Sequence, residues 1–217
     1  MLRLLPRFDT PRPPRGQGTL SNIYDAAVTG WQDGISKLGF IEAYADLMTH
    51  ARAPDTAQPK VMDVGTGTGA FAQAWINEHG APGTLTLTDI SASMLRAAAE
   101  RLPRSTAIQA PLGAPDLTSL PPQDVILCAH VIEHLDDPHN AIAWLHDRLR
   151  PGGQLVMAIS KPHWCTALVR WRWGNAAYTP AQAKSMLARA GFSDIRVHPF
   201  CKGPPSRVSS GYVARRA

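Results

Sequence analysis

With 217 residues, 44% of them hydrophobic and 18% charged, the chain has the composition of one medium-sized globular domain, able to bury a core without disulfides or metals. No apolar run reaches the roughly 18 residues that a membrane-crossing helix needs. Three scattered cysteines (Cys128, Cys165, Cys201) argue against a disulfide framework and a CxxC zinc site, and suit a reducing cytoplasm. Much of the formal charge of +5 comes from terminal arginines (Arg3, Arg7, Arg12, Arg15, Arg215 and Arg216), which read as solvated tails.

Residues 1–20 read as a flexible, basic, proline-rich arm without the apolar stretch and cleavage site of a secretory signal; an organellar presequence stays open. Residues 21–217 read as a single domain. Within it, 21–55 form a helical cap, with apolar residues at helical spacing (Leu38, Ile41, Tyr44, Ala45, Met48) from about Tyr24 to Ala51. After the polar link "APDTAQPK", a core over 60–217 alternates strands and helices. "VMDV" is a strand, Ala70–Glu78 a helix, "GTLTLTDI" a strand, and "SASMLRAAAERL" a helix with Ser91 as its N-cap. "TAIQA" and "DVILCAHVI" are strands, "PHNAIAWLHDRL" is a helix, and "PGGQLVMAIS" is a turn entering a strand. The spacing then predicts a helix over Pro180–Ala190 and two closing strands, "FSDIRVHPF" and "SSGYVARRA". Such alternation calls for a doubly wound, Rossmann-like α/β fold, a mostly parallel sheet of seven strands with an antiparallel hairpin at one edge.

The loop "VMDVGTGTGAF" carries the chemistry. An apolar strand ends in an acid, three glycines follow at alternate positions, and a helix begins. Glycines let backbone approach a ligand, and the helix N-terminus offers unpaired N–H groups. A phosphate-gripping loop needs Lys and Ser or Thr after its last glycine, and here Ala70 and Phe71 follow Gly69. A dinucleotide fingerprint wants GxGxxG, one residue longer than Gly65-x-Gly67-x-Gly69. Asp63 would repel a pyrophosphate but could receive an ammonium group. The next strand ends in Asp89, where an acid can take both hydroxyls of a ribose. The ligand expected is a nucleoside carrying an amino-acid tail.

"VMDVGTGTGAF", "LTLTDISASML" and "DVILCAHVIEHL…LRPGGQLVMAIS", in that order, resemble the class I S-adenosylmethionine-dependent methyltransferases, in particular their small-molecule group, from about Lys60 to Gly191 and in the closing strands. The resemblance implies S-adenosylmethionine as donor and S-adenosylhomocysteine as product. It assigns Asp63, Gly65, Thr66, Gly67 and Gly69 to the methionine portion, Asp89 to the ribose, and Ile90 and Met94 to the adenine. Where the family often has an acid after its third strand, this chain has Gln109-Ala110-Pro111, so Gln109 and Ala110 are placed at the adenine edge.

Methyl transfer from a sulfonium is a direct displacement that needs alignment, exclusion of water and, for some acceptors, removal of a proton. The candidates lie in "CAHVIEHLDDPH", at the carboxyl end of a strand: His130 as base or orienting group and His134 as a second catalytic candidate. His130, Glu133 and His134 fall at i, i+3 and i+4, on one side of a helical turn. Quinone-biosynthesis O-methyltransferases and small-RNA end-methylating enzymes carry ExxEH here and bind a divalent ion. The HxxEH of this chain makes a His130–Glu133–His134 metal site a minority alternative, with His163 the only nearby fourth ligand. Tyr24 and Trp31 in the cap, and His163, Trp164 and Tyr178 after the fifth strand, are placed around the substrate. Buried Cys128 reads as packing.

The expectation is a cytoplasmic methyltransferase acting on oxygen or nitrogen of a small apolar or aromatic metabolite. It has no nucleic-acid partner, since no "NPPY"-like motif occurs, and both monomer and homodimer stay open. Two rivals are a nicotinamide-dependent oxidoreductase, disfavoured by the glycine spacing and the lack of a Tyr-x-x-x-Lys pair, and a non-catalytic S-adenosylmethionine-binding protein.

Overall fold

The computed structural model describes residues 34–163 and 176–217. In chain order the described elements are α1 (Phe40–Thr49), β1 (Lys60–Val64), α2 (Ala70–His79), β2 (Thr84–Asp89), α3 (Ala92–Arg101), β3 (Thr106–Gln109), α4 (Pro115–Thr118), β4 (Gln123–Ala129), a 3-10 turn (Ile132–His134), α5 (Pro138–Arg148), β5 (Leu149–Ser160), α6 (Pro180–Arg189), β6 (Phe192–Pro199), α7 (Pro205–Val208) and β7 (Ser209–Arg216). The seven strands form one sheet in the order β3-β2-β1-β4-β5-β7-β6. Strands β1 to β5 pair in parallel, while β7 lies antiparallel between β5 and β6.

The central strands are buried and largely apolar because helices cover both faces of the sheet. Successive side chains point to opposite faces, and the core divides accordingly. Val61, Leu85, Leu87, Val125, Leu127, Val156 and Val213 pack against α1, α2 and α3. Met62, Val64, Ile126, Cys128, Leu155, Met157 and Tyr212 pack against α5 and α6. Trp75 of α2 and Leu145 of α5 are fully buried, one on each side.

Local sequence sets the helix starts. The Ser91 hydroxyl accepts from the Met94 amide at 3.2 Å, and Asp137 accepts from the Asn140 amide at 2.9 Å. Thr179 and Gln182 form a reciprocal capping box ahead of Pro180. The cap departs from a continuous helix. Gly39 sits in the left-handed region (φ 83°) and α1 begins only after it, so Leu38, expected on the apolar stripe, is 47% exposed. From Phe40 onward the helix buries Ala43, Tyr44, Leu47 and Met48. The two short helices α4 and α7 fall in segments to which the spacing assigns no helix or strand.

After β1 the chain winds outward through β2 and β3, then returns to the other side of β1 as β4. This reversal leaves a crevice between the carboxyl ends of β1 and β4, where open α/β sheets bind ligands.

Candidate active site

A cavity of about 650 Å³ opens at that crevice. Its wall includes backbone and side chains of Val64 to Thr68, Asp89, Ile90 and Met94 after β2, Ala110 to Gly113 after β3, and Ala129 to Val131 after β4. No lysine or arginine lines it among the described residues.

The glycine loop is built by backbone geometry that only glycine holds without strain. Gly65, Gly67 and Gly69 have φ of 65°, 53° and 80°, so the alternation seen in the sequence is an alternation of left-handed positions. At Gly65 space is also required, because a Cβ there would lie 2.3 Å from Cγ2 of Val131. The Gly69 amide closes the turn onto the Thr66 carbonyl at 2.9 Å, and α2 starts with no side-chain cap.

Two acids frame the loop. Asp89 Oδ2 accepts from the Gly67 amide at 2.8 Å and Oδ1 from the Ser91 amide at 2.9 Å. Asp63 is 1% exposed and stands behind the wall, outside the cavity lining. Its Oδ2 accepts from the Thr66 hydroxyl at 2.7 Å. Burial pushes its carboxyl up to about 7, with Asp89 adding to the rise against the Thr66 hydrogen bond. Asp63 braces the loop from below.

Opposite the loop, Ile90, Met94, Ala110, Pro111 and Leu112 offer an apolar shelf. Gln109 stands aside: it is exposed, its amide donates to the Ile90 carbonyl at 3.1 Å, and it is absent from the cavity lining. Asp137, Asn140 and Trp144 of α5 continue the wall, and Trp144 donates to the Thr118 hydroxyl at 3.2 Å. Leu112 and Trp144 of this lining, and the contact of Val131 with the glycine loop, carry no sequence signal. A bulky residue facing a loop glycine leaves no motif.

After β4 stands His130, one of the two non-glycine residues with positive φ among those described (φ 57°). Its Nδ1 lies 2.9 Å from Glu133 Oε1 and 3.3 Å from Ser160 Oγ. Phe40 meets the imidazole edge-on at 5.4 Å, and Tyr44 lies at 6.4 Å. Tyr44 in turn meets Phe71 at 4.8 Å, so the cap helix and α2 enclose this end of the cavity with aromatic rings. Burial raises the Glu133 carboxyl, but the hydrogen bond and charge of His130, the charge of His134 and the bond from Ser160 override it and bring it down to about 2. Burial pushes the Tyr44 hydroxyl and the Cys128 thiol up.

His134 also lines the cavity. The i, i+3, i+4 relation is not that of one helical turn, because His130 precedes the 3-10 helix in a left-handed conformation and folds back onto Glu133. Among the described residues no group of three or more His, Cys, Asp or Glu is placed to hold a metal ion. His163 and Tyr178 lie outside the described lining; Tyr178 donates its amide to the Ser160 carbonyl at 2.9 Å and packs on the sheet. Tyr24, Trp31 and Trp164 fall outside the described residues.

The comparisons agree with this geometry. A family model described as a methyltransferase domain matches residues 62–155. An uncharacterised protein of Synechococcus is 36% identical over 109 residues, covering 48% of this chain and 26% of that protein. The ubiquinone/menaquinone biosynthesis C-methyltransferase of Cupriavidus taiwanensis is 32% identical over 120 residues, covering 53% of this chain and 49% of that enzyme. The chain thus spans half or less of the length of these curated relatives. Among solved structures, a possible histamine N-methyltransferase of Thermotoga maritima superimposes with a TM-score of 0.70 at 14% identity, covering 91% of this chain and 100% of that one. Magnesium protoporphyrin IX methyltransferase of Synechocystis with bound S-adenosylhomocysteine gives 0.68 at 16% identity, covering 93% and 100%. The match to a methyltransferase-domain model over residues 62–155 and the fold shared with these structures support a class I S-adenosylmethionine-dependent methyltransferase.

Proposed function

We propose that the protein transfers the methyl group of S-adenosylmethionine to a small, uncharged, apolar or aromatic acceptor. The observation that carries this reading is the cavity at the β1–β4 crevice, with glycine backbone on one side, Asp89 on another and an apolar shelf between. These residues fit the cofactor. Asp89 brings a carboxylate to the cavity wall where ribose hydroxyls can donate to it, and Ile90, Met94, Ala110 and Leu112 match the flat apolar adenine. The backbone of Gly65 to Thr68 suits the amino-acid tail, with Asp63 beneath it as an acid that gains by a nearby cation. When bound, S-adenosylmethionine supplies an electrophilic methyl group.

The chain's own part is to orient the acceptor, keep water out and handle a proton. Ile35, Phe71, Tyr44 and His130 form an aromatic and aliphatic end to the cavity. The absence of lysine or arginine from the described lining leaves an anionic acceptor without a counter-ion, which favours an uncharged one. The relation to a quinone-biosynthesis methyltransferase supports a ring-shaped acceptor.

The test is calorimetric titration with S-adenosylmethionine, S-adenosylhomocysteine and NAD in turn. Micromolar binding of the first two, with none of NAD, is the result expected. Binding of NAD alone would sink the assignment. Retained binding of the first two without methylation of any small-molecule panel would instead indicate a binding protein.

A further inference from the structure

A second cleft, of about 310 Å³, opens at the amino-terminal ends of the parallel strands and shares no lining residue with the first. Its volume lies in the usual range of small-ligand pockets. Arg52 after α1, Arg150 at the entry to β5, Arg196 on β6 and Arg215 on β7 line it, one arginine from each of four elements. Each is held in place. Asp124, 9% exposed, accepts from Arg150 Nε with one oxygen and from the Lys60 amide at 2.7 Å with the other. Gln154, 7% exposed, accepts the Arg52 amide at 3.1 Å and donates to the Arg52 carbonyl, pinning that backbone to the sheet. Arg215 Nη2 donates to the Gly152 carbonyl at 3.1 Å. Arg196 Nε and Nη2 donate to the two Asp194 oxygens at 3.1 and 3.0 Å. Asp194 is the second described non-glycine residue with positive φ (46°), at a register shift of β6 against β7 between Ser193 and Arg196. Left-handed backbone is uncommon outside glycine, and bulges of this kind re-aim side chains. The bonds to Arg150, Arg196 and Arg215 use one or two of the five N–H donors of each guanidinium. The Arg150 and Arg196 side chains are 43% and 60% exposed, open to a ligand from solvent.

We propose that this cleft binds the phosphate or pyrophosphate group of a small soluble molecule. The site stands apart from methyl transfer and does not depend on it. Guanidinium groups match phosphate oxygens with paired N–H donors, and four of them arriving from different elements suit an anion with oxygens on several sides better than a flat carboxylate. The acids of the lining are Asp55, Asp124 and Asp194. With Asp124 and Asp194 each taken by one arginine, Asp55 alone stands against Arg52 and Arg215, so the cleft keeps an excess of positive charge. A single-stranded nucleic acid calls for aromatic platforms beneath its bases, and the lining has no Phe, Trp or Tyr among the described residues. A lipid headgroup would bring acyl chains, and the apolar side chains of the described lining are only Ala53, Pro54 and Val213.

The experiment is calorimetric titration of the full chain with pyrophosphate at constant ionic strength, with malonate as a carboxylate control, in the absence and presence of S-adenosylhomocysteine. One saturable site per chain is expected, tighter for pyrophosphate than for malonate and unmoved by S-adenosylhomocysteine. Arg52→Gln and Arg196→Gln should each weaken it roughly 10-fold, the loss of one charge-assisted hydrogen bond, with melting temperature unchanged. Arg189→Gln, on the exposed side of α6 and outside the cleft, should leave it as it is. Should Arg196→Gln fail to fold without its partner at Asp194, Arg52→Gln decides. Absence of saturable binding overturns the proposal, and so does an equal loss in Arg189→Gln, which would show a general effect of charge. Displacement by S-adenosylhomocysteine would put the anion in the first cavity and overturn it as well. Tighter binding of a single-stranded oligonucleotide or of phosphatidylglycerol vesicles, lost in the same two variants, would overturn the small soluble ligand in favour of a nucleic acid or a membrane.

Discussion

Asp89 Oδ2 accepts a hydrogen bond from the Gly67 amide at 2.8 Å, tying the end of β2 to the glycine loop after β1 across the mouth of the cavity. The residue expected to hold a ribose is therefore also a strut of the loop that holds the rest of the ligand. Its other oxygen accepts the Ser91 amide and steadies the entry to α3. Asp89→Ala removes both roles. S-adenosylhomocysteine affinity should fall roughly 100-fold or more, taking two charge-assisted hydrogen bonds at about 1.5 kcal/mol each, with a further loss of stability of about 1–3 kcal/mol. Asp89→Asn keeps one acceptor oxygen and sets an NH2 donor against the other backbone amide, and should lose less of both than Asp89→Ala. Calorimetry beside urea unfolding separates the two losses; unchanged affinity in Asp89→Ala would place the ribose elsewhere.

Gly65 and Val131 carry a second test. A Cβ at Gly65 would meet Val131 Cγ2 at 2.3 Å, and the φ of 65° resists any side chain. Gly65→Ala should destabilise the fold by about 2–4 kcal/mol through strain and overlap together. Adding Val131→Ala should relieve the overlap and leave the strain, so the pair is non-additive and the double variant is more stable than Gly65→Ala alone. Additive losses would mean that the loop moves away from Val131 instead of pressing on it.

Much of this site is legible in the sequence because backbone rules wrote it there. Alternate glycines marked alternate left-handed positions, and the strand-terminal Asp63 and Asp89 marked the carboxyl edge of the sheet. The parallel order followed from strands alternating with helices, and the hairpin from two strands in succession. What spacing could not give was direction. His130, Glu133 and His134 look like one helical face, yet the left-handed turn at His130 points its ring back at Glu133 and joins it to Ser160, thirty residues on. Asp63 likewise looks like a wall residue, but the pleat turns it under the loop toward Thr66. The Gly39 break in the cap was hidden inside an apolar periodicity that runs through it.

Arg216 offers a test of stability apart from binding. Its Nη1 donates to the carbonyls of His146, Asp147 and Leu149, at 3.2, 2.9 and 2.6 Å, satisfying the open end of α5 from the last residues of β7. Arg216→Ala should cost about 1–3 kcal/mol, and Arg216→Lys should recover only part, since an ammonium lacks the planar fork. Denaturant unfolding reads the loss, and S-adenosylhomocysteine affinity should stay the same. A large change in affinity would show that α5 transmits its C-terminal end to the cavity.

Asp63 and Glu133 should shape the pH dependence of stability in opposite senses. Burial holds the folded Asp63 carboxyl at about 7, above the ordinary value of about 3.9 expected when unfolded. The folded state then binds the extra proton, so the stability this group contributes is fully present below about pH 4 and is lost as pH rises toward 7. Glu133 is held at about 2 by His130, His134 and Ser160 against an unfolded value of about 4.3. Its contribution is present above about pH 4 and is lost as pH falls through 2. Asp63→Asn should therefore be more stable than wild type near pH 8 and gain least near pH 4, since an amide cannot charge. Glu133→Gln should be less stable than wild type near pH 5, with the difference shrinking as pH falls toward 2. Unfolding free energies of the three proteins, measured across this range as differences from wild type, isolate each group from the other titrations. An Asp63→Asn advantage that does not grow between pH 4 and 8 would mean that Asp63 is already ionised in the folded loop at acid pH.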